Sequence, residues 1–376
     1  MAGITIKELA ELCGVAVSTV SRAMNDRSDV NPDTRTRILA AAEEYGYVPN
    51  TSARSLKVSS TRAIAVIIQG ETSPLLVQVL GLLESTLGVQ GYDVMLSHVS
   101  DRAAHAGTVE RIVTERKFGG VILLGRYGDQ ADGNAAELSR DLAHIEVPLV
   151  FCTTADFSGS PSLHSSVSVD DYSGSYELTR RLLALGHRRI AFVGGGSVDN
   201  RQHPWALRYS GYRSALEEAG LEVDPALQID SVAPQALYTM ANGYRSTQEW
   251  LAAGAFDATA IMGMCDAVAI GAGRALHEAG IRVPTDCSLT GFDGLDIAQY
   301  AIPSLTTVRQ PLEEIARATA RVLLSAIAQP GHATEQLWIR GELVDAESTA
   351  SPGMSTTTPE STSTTPPGPS SARSRS

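Results

Sequence analysis

The first 50 residues contain three short stretches in which apolar residues recur at helical spacing. A Thr-x-x-Glu capping pattern that begins at Thr5 predicts a first helix from near Ile6 to Gly14. An Asn-Pro pair that begins at Asn31 predicts the start of a last helix, which ends at Gly46. The apolar positions of that last helix are Ile38, Leu39, Ala42 and Tyr45. The pattern therefore predicts three short helices around one small core.

The stretch 14–25 has the pattern of a turn followed by the second helix of a helix-turn-helix. One face of this helix is expected to pack against the core through Val20, Ala23 and Met24. The other face carries the polar residues Ser18, Thr19, Ser21 and Arg22. Because the core does not need these polar side chains, they are free to touch DNA.

The pattern changes after residue 62 to short apolar runs that alternate with helical stretches. The run 63–68 is apolar throughout, which is typical of a strand buried on both faces of a parallel sheet. Expected strands of this first series are 63–68, 92–96, 121–124 and 149–152, and expected helices are 74–90, 109–116 and 135–142. Such an alternation predicts a parallel sheet with helices on both faces.

A second series of the same kind begins near Val167. Its expected strands are 189–193, 258–262 and 288–291, and its expected helices are 172–185, 206–219, 244–252 and 266–279. Two such halves create a cleft at the carboxyl ends of their strands, and clefts of this kind hold small ligands. The predicted fold class is α/β, with a three-helix head followed by two lobes of parallel sheet.

Length and composition fit this organisation. At 376 residues the chain is too long for one compact core and suits a small head with one or two larger domains. No apolar run approaches the roughly 20 residues that span a bilayer, and no export signal precedes the first helix. We therefore expect a cytoplasmic protein without a membrane partner. The segment 346–376 is rich in Ser, Thr, Pro and Gly, so we expect a disordered tail.

The formal net charge of -12 is unusual for a protein that binds DNA, because basic side chains normally neutralise phosphates. The distribution of charge changes this picture. Residues 1–60 hold seven basic and seven acidic side chains, so the acidic excess lies outside the head. A neutral head can bind DNA if the two signs occupy different faces. We expect weak non-specific affinity and reliance on dimerisation.

Four cysteines, Cys13, Cys152, Cys265 and Cys287, lie far apart in the sequence. Cytoplasmic thiols stay reduced, so these residues are expected to be small buried hydrophobes. Neither the cysteines nor the eight histidines show the spacing of a metal site. The sequence therefore predicts no metal and no cofactor.

The head resembles the lac repressor family of bacterial transcription regulators. The resemblance is carried by T-I-K-E-L-A-E-L-C-G-V-A-V-S-T-V-S-R-A-M-N, by T-R-T-R-I-L-A-A-A-E-E-Y-G-Y-V-P-N and by A-R-S-L-K. It implies that the second helix lies in the major groove and that a hinge helix at about 50–58 reaches the minor groove. The implied DNA contacts are Thr5, Val17, Ser18, Thr19, Ser21, Arg22, Asn25, Asn50, Arg54, Leu56 and Lys57.

The remainder resembles the effector domain of the same family, through A-L-G-H-R-R-I-A-F-V-G-G-G at 184–196, G-F-D-G at 291–294 and I-P-S-L-T-T-V-R-Q-P at 302–311. That domain has the two-lobed fold of periplasmic sugar-binding proteins, in which the chain crosses between lobes three times. The implied division is a DNA-binding head at 1–60 and an effector domain at 61–345. The first lobe takes 61–160 and 295–327, and the second lobe takes 161–294 and 328–345.

The resemblance also implies an effector pocket that contains Arg208, Asp293 and Gln310. An arginine fork and a carboxylate suit the hydroxyls of a sugar or nucleoside. Alternatively, Arg208 would lie on a solvated helix face and Asp293 would cap a loop. Three pocket positions depart from the family pattern, namely Leu75, Thr153 and Cys265. In the family these positions usually hold an aromatic residue, an acidic residue and an asparagine, so we expect that the effector of this chain is unusual, or that effector binding is weakened or lost.

Two other functions agree less well with the sequence than a regulator does. A phosphate-binding enzyme is disfavoured because the glycine run 194–196 continues as Ser197-Val198-Asp199 without the glycine that a dinucleotide site requires. A sugar-binding receptor without a DNA role would leave the helix-turn-helix unexplained. The tail lacks the leucine heptads that would form a tetramer. We therefore expect a dimeric, ligand-controlled transcription repressor that binds a palindromic double-stranded operator and is not an enzyme.

Overall fold

The computed structural model describes residues 4–24, 30–47, 62–69, 73–99, 105–116, 118–125, 140, 142–155, 162–195, 203–233, 236–254 and 256–353. The chain divides between Arg62 and Ala63 into two compact units. Several predictions lie outside the described residues. They concern Asn25, most of the helix 135–142, the tail beyond 353, and the hinge segment with Asn50, Arg54, Leu56 and Lys57.

The first unit contains the three predicted helices, α1 (Ile6–Leu12), α2 (Val17–Met24) and α3 (Pro32–Glu44). The capping box is present at the start of α1. The backbone N–H of Thr5 donates to Glu8 Oε2 at 2.7 Å, and the backbone N–H of Glu8 donates to Thr5 Oγ1 at 3.4 Å. Asn31 caps α3 by accepting from the N–H of Asp33 at 2.9 Å. The side chains at these two helix starts thus satisfy amides that the helices leave unpaired.

The core of this unit is small. Its buried residues are Leu9, Ala10, Cys13, Val20, Ala23, Ile38 and Ala42. The expected packing of Val20 and Ala23 is confirmed, and Met24 is half-buried. Leu39 and Tyr45 are exposed, contrary to the prediction. Only a narrow stripe of α3 faces the core, because two short helices cannot cover more of it.

The first lobe of the second unit is built on a six-stranded parallel sheet. Its strands, in spatial order, are β11 (Gln336–Ile339), β5 (Ser165–Val169), β4 (Leu149–Cys152), β3 (Gly120–Leu124), β1 (Ala63–Gln69) and β2 (Asp93–Val99). Helices α4 (Pro74–Val89) and α11 (Leu312–Ala328) contact each other, and α5 is His105–Arg116. Strand β1 is buried on both faces as predicted. Ile64 and Val66 pack in the cluster that contains α4 residues, while Ala65 and Ile67 pack in the cluster that contains α5 residues.

The second lobe is built on a four-stranded parallel sheet in the order β7 (Gln228–Ile229), β6 (Ile190–Val193), β8 (Ala260–Gly263) and β9 (Ser288–Thr290). Its helices are α6 (Asp171–Ala184), α7 (Pro204–Glu218), α8 (Met240–Ala252), α9 (Asp266–Glu278) and α10 (Asp296–Tyr300). Helix α6 packs against α7, and α8 packs against α9. A two-stranded antiparallel ribbon, β10 (Thr307–Arg309) with β12 (Glu342–Val344), joins two of the segments that cross between the lobes.

The structure corrects the expected division between the lobes. The residues 161–169 were assigned to the second lobe, but β5 pairs with β4 in the first sheet. The segment 328–345 was also assigned to the second lobe, but β11 pairs with β5. Conversely, the segment 295–327 was expected in the first lobe, but its residue Thr306 forms a bridge with Thr290 of the second sheet. The apolar content of a parallel strand does not reveal which of two similar sheets it joins.

The start of the predicted tail is also ordered. The N–H of Leu289 donates to the carbonyl of Ser348 at 2.8 Å, and the Ser348 hydroxyl donates to the carbonyl of Leu289 at 2.6 Å. Ser348 is buried. Residues 346–350 therefore extend the packing at β9, so the prediction of a disordered tail from 346 is wrong at its beginning.

Within the described ranges, none of the helices combines the length and the apolar character that a membrane crossing requires.

Candidate functional site

A cavity of about 330 Å³ lies between the two lobes, at the carboxyl ends of their strands. It is lined by Ser73, Pro74, Leu75, Leu76, Gly125, Thr153, Val169, Pro204, Arg208, Leu237, Tyr238, Thr239, Met240, Ala267, Asp293 and Gln310. Gly125, Thr153 and Val169 follow or end strands of the first sheet, and Pro204, Met240 and Ala267 start helices of the second lobe. The position of the cavity follows from the topology, because strand ends and helix starts meet there.

Five of the six expected effector residues line this cavity: Leu75, Thr153, Arg208, Asp293 and Gln310. Cys265 does not. It is buried and stands at the N-cap position of α9, without a capping hydrogen bond from its side chain. Burial raises the pKa of the Cys265 thiol. Cys265 is therefore an uncharged packing residue behind the wall, and the other three cysteines are also buried in their own surroundings.

Arg208 on α7 is only 3 % exposed, which excludes the solvated helix face. Its Nε donates to Asp171 Oδ1 at 2.7 Å, and its Nη1 donates to the carbonyl of Met264 at 2.6 Å. Nη1 also lies 3.2 Å from Asp293 Oδ1. The guanidinium carbon stands 3.9 Å from the ring centroid of Phe292. Two of the three guanidinium nitrogens are thus committed to acceptors within the protein.

Asp293 and Gln310 lie on two segments that cross between the lobes. Asp293 has a φ of 119°, a conformation that residues other than glycine rarely adopt. It is held there by two backbone hydrogen bonds, from its own N–H to Val308 O and from Gln310 N–H to its carbonyl, both at 2.9 Å. Gln310 Nε2 donates to Asp293 Oδ1 at 2.8 Å, whereas Gln310 Oε1 is buried and has no hydrogen-bond partner among the described residues. The crossing segments therefore present one buried acceptor that a ligand can use.

Three buried carboxyl groups share this region with a single guanidinium. Burial raises the pKa of Asp171 to about 6, although the charge of Arg208 opposes the rise. Burial also raises the pKa of Asp293, again against the charge of Arg208. Burial and the charge of Asp293 raise the pKa of Asp266 to about 7, against a hydrogen bond from Thr307 Oγ1 at 2.6 Å. Arg208 stays charged, because these carboxylates outweigh the effect of its own burial on its pKa. The cluster holds more acidic groups than one cation can neutralise.

The raised pKa of Asp266 predicts a specific pH dependence of stability. An unfolded aspartate has a pKa of about 3.9, so the folded state binds more protons between about pH 4 and pH 7. The stabilising contribution of this proton is complete below about pH 4 and is lost as the pH rises through 7. Relative to Asp266→Asn, the wild type should lose about 2 kcal/mol of unfolding free energy between pH 5 and pH 8. Urea denaturation of both proteins at each pH measures this difference, and parallel pH profiles would contradict it.

Several residues that line the cavity were not predicted from the sequence. Ser73 and Thr239 cap α4 and α8, accepting from the N–H groups of Leu76 at 3.4 Å and Asn242 at 3.2 Å. Tyr238 stacks on His203, with ring centroids 5.9 Å apart and an angle of 20° between the planes. The sequence signal that could have identified Ser73 and Thr239 is a Ser or Thr that precedes a helix, in a loop that follows a strand. Tyr238 places an aromatic ring on the second lobe, whereas the expected aromatic position on the first lobe holds Leu75.

The head presents the expected polar face of α2. Val17, Ser18 and Arg22 are exposed, and Thr19 and Ser21 are half-buried. Thr5 is exposed, but its hydroxyl also serves the capping box, donating to Glu8 Oε2 at 2.9 Å. The buried residues of α2 anchor the helix and leave Val17, Ser18 and Arg22 together on its outer surface. A helix held in this way can enter the major groove of DNA.

A helix-turn-helix head joined to a two-lobed ligand-binding domain defines a regulator class. Residues 5–50 match the model of bacterial regulatory proteins of the lacI family, and residues 179–349 match that of the periplasmic binding protein-like domain. The chain is 32% identical over 348 residues to the HTH-type transcriptional regulator MalR of Clostridium butyricum, covering 92% of this chain and 99% of that protein. The chain therefore belongs to the lacI family of bacterial regulatory proteins. It is a DNA-binding transcription regulator and not an enzyme.

Solved structures agree with this assignment. The lac repressor dimer bound to operator and the anti-inducer ONPF has a TM-score of 0.78 and 25% sequence identity, covering 93% of this chain and all of the other. The transcriptional regulator CelR in complex with cellobiose has a TM-score of 0.67 and 28% identity, covering 92% of this chain and 99% of the other. Both structures match this chain through the head, so the alternative of a receptor without a DNA role is excluded.

Proposed function

We propose that this protein is a repressor that binds a palindromic operator as a homodimer. Its affinity for the operator falls or rises when a small sugar-like effector occupies the cleft. The observation that carries this proposal is the buried cluster of Arg208, Asp293 and Gln310 at the segments that cross between lobes. A ligand that contacts these segments and both lobes favours one arrangement of the lobes over others. Coupling between effector and DNA must then be reciprocal. We also propose a cytoplasmic location, because a regulator of this kind acts where the DNA lies.

The base-reading role of α2 is part of this proposal. Val17 is suited to contact a thymine methyl group, Ser18 to hydrogen-bond a base edge, and Arg22 to engage guanine through two hydrogen bonds. All three side chains are exposed on one helix. The alternative is that Arg22 contacts only phosphate, which would strengthen binding to every sequence equally.

Replacing Arg22 by alanine should weaken binding to the preferred operator more than binding to scrambled DNA. A guanine contact is worth about 1 to 3 kcal/mol of discrimination, so the operator-to-scrambled ratio should fall about tenfold or more. Fluorescence anisotropy with both duplexes measures the ratio. Arg37→Ala, which removes an exposed charge from α3, is the matched control and should leave the ratio unchanged. An equal loss on both duplexes in Arg22→Ala would make Arg22 a phosphate contact.

The proposed dimer draws support from an exposed apolar patch beside α10. Ile297 is 42% exposed, Tyr300 is 78% exposed and Ile302 is fully exposed in the single chain. Neighbouring large apolar side chains with this exposure are typical of a surface that another protein covers. We assign this patch to contact with a second copy of the chain.

A charge placed on this patch should separate the dimer. Ile302→Glu and Tyr300→Glu would each bury a carboxylate without a partner in the interface, which raises the dimer dissociation constant at least about tenfold. Sedimentation velocity over a concentration series measures this shift. Val89→Glu, at an equally exposed apolar position at the end of α4, is the control. A variant pair that stays dimeric at the same concentrations as the wild type would remove the patch from the interface.

A further inference from the structure

The wall of the cleft is apolar over most of its extent, and both lobes contribute. The first lobe supplies Pro74, Leu75, Leu76 and Val169, and the second supplies Pro204, Leu237, Met240 and Ala267. A polyol enclosed by such a wall would leave hydroxyl groups without hydrogen-bond partners, and each such burial is costly. A ligand that fills the cleft must therefore present apolar surface to both lobes.

Ser73 and Thr239 are occupied as helix caps, and Thr153 and Tyr238 are single polar residues of the wall. The polar side chains that lie together are Arg208, Asp293 and Gln310, where the chain crosses between the lobes. There, Arg208 already donates to Asp171 and to the carbonyl of Met264, so it cannot offer its full fork to a ligand. Gln310 Oε1 is a buried acceptor without a partner among the described residues, and Gln310 itself is 4 % exposed. A single donor group on the ligand, such as a hydroxyl, satisfies it. One end of the ligand is polar, and it needs few hydroxyl groups.

The charge at this end disfavours an anion. Asp171 and Asp293 both lie against Arg208, with Oδ1 atoms 2.7 and 3.2 Å from its nitrogens. The single positive charge is thus already compensated by carboxylates. A phosphate placed beside Asp293 would meet a like charge without a free counter-charge, which is expensive at low dielectric.

Helix N-termini near the cavity do not reverse this balance. Four helices, α4, α7, α8 and α9, start at the wall, and an exposed N-terminus with free amides would attract phosphate. Two of them, α4 and α7, begin with proline, which has no N–H. Side chains of the capping residues Ser73, His203 and Thr239 already accept from one amide each of α4, α7 and α8. In α9 the N-cap residue Cys265 makes no capping hydrogen bond, but the carboxyl group of Asp266 occupies the first turn, so an anion would meet an acidic group there.

From the polarity and the charge of this wall we infer that the effector carries no negative charge and has a large apolar part, such as a glycoside with a hydrophobic substituent, and that sugar phosphates are excluded. This inference rests on the proposed effector role of the cleft. It also explains why Thr153 and Cys265 stand where the family usually has an acidic residue and an asparagine. The apolar part of a ligand needs no hydrogen bond from either position. The glycoside would place a hydroxyl at Gln310 Oε1 and its substituent among the leucines and Met240.

The inference is tested by calorimetry on the full-length protein with matched sugars. The probes are the methyl and phenyl β-glycosides of glucose and galactose, the two hexose 6-phosphates, and glucosamine. The phenyl glycoside of at least one sugar should bind about tenfold or more tightly than its methyl glycoside, because the ring buries apolar surface. The 6-phosphates should bind at least about tenfold more weakly than the phenyl glycoside of the same sugar.

A variant of the wall tests whether its apolar residues cause the preference for phenyl over methyl glycosides. Met240→Ser should reduce the phenyl-to-methyl preference severalfold, and because Met240 is 37% exposed the protein should stay folded. Val77→Ser, exposed on α4 but not in the wall, should leave the preference intact. Equal binding of methyl and phenyl glycosides, tighter binding of a 6-phosphate or of glucosamine, or no binding by any probe would each overturn the inference. Duplex binding measured on the same preparation shows separately whether the regulator function holds.

Discussion

Replacing Arg208 by alanine should lower the free energy of unfolding by about 3 to 5 kcal/mol. The side chain is buried, and its nitrogens lie 2.7 Å from Asp171 and 3.2 Å from Asp293. Removing it leaves two buried carboxyl groups without their cation and the Met264 carbonyl without its donor. Urea denaturation at pH 7 measures the loss. The same variant should lose effector binding, since the guanidinium forms part of the wall.

Arg213→Ala on the same helix is the matched control. The Arg213–Glu217 pair is about half-exposed on both sides, so its loss should cost less than about 1 kcal/mol. A double variant, Asp171→Asn with Arg208→Met, removes one carboxylate together with the cation. It should be less destabilised than the sum of the two single variants, because the groups interact directly. Equal losses of unfolding free energy in Arg208→Ala and Arg213→Ala, or strict additivity in the double variant, would contradict this prediction. The buried pair would then stabilise the fold no more than an exposed pair does.

Gly271→Ala should destabilise the second lobe by about 3 kcal/mol. A Cβ atom at Gly271 of α9 would lie 2.0 Å from the carbonyl oxygen of Met240 and 2.7 Å from the backbone nitrogen of Tyr244, both on α8. Backbone atoms cannot shift alone, so the two helices must separate. Because α8 begins at Met240 in the wall of the cleft, this separation should also weaken effector binding. Thermal unfolding and calorimetry measure the two effects.

Gly273→Ala, two residues along the same helix, separates this packing effect from helix propensity. A Cβ atom there meets only the end of the Leu289 side chain, at 3.0 Å, which can move. Alanine is the better helix former by about 1 kcal/mol, so Gly273→Ala should be neutral or stabilising. If both alanine variants unfold at the same temperature as the wild type, the close approach of α8 and α9 is not limiting.

Much of the fold follows from local patterns. The capping box at Thr5, the Asn31-Pro32 helix start and the doubly buried strand β1 are each fixed by neighbouring residues, and the structure contains all three. The lobe to which β5 and β11 belong was predicted incorrectly. The pairing of β11 with β5 joins segments 170 residues apart, which no local pattern records, and the apolar content of β5 does not show that it pairs with β4. Ser348 likewise looks like the start of a polar tail, yet its hydrogen bonds to Leu289 depend on distant chain.

One part of the candidate site could likewise be predicted from the sequence, and another part could not. Arg208, Asp293 and Gln310 were found through the family resemblance, and the structure brings them together. The commitment of Arg208 to Asp171 was not foreseen, since nothing near Arg208 in the sequence marks a buried acceptor on another helix. Neither was Tyr238, whose position in the wall depends on stacking against His203. These contacts, rather than the residue types alone, determine what the cleft can bind.

The central claim is that α2 reads a symmetric DNA sequence for a dimeric regulator. Selection of bound duplexes from a randomised pool by the full-length protein, followed by sequencing, tests it most directly. We expect the selected duplexes to share one inverted repeat, since each copy of α2 in a dimer reads one half-site. Selected duplexes without a common repeat, retained no better than the starting pool, would contradict the account.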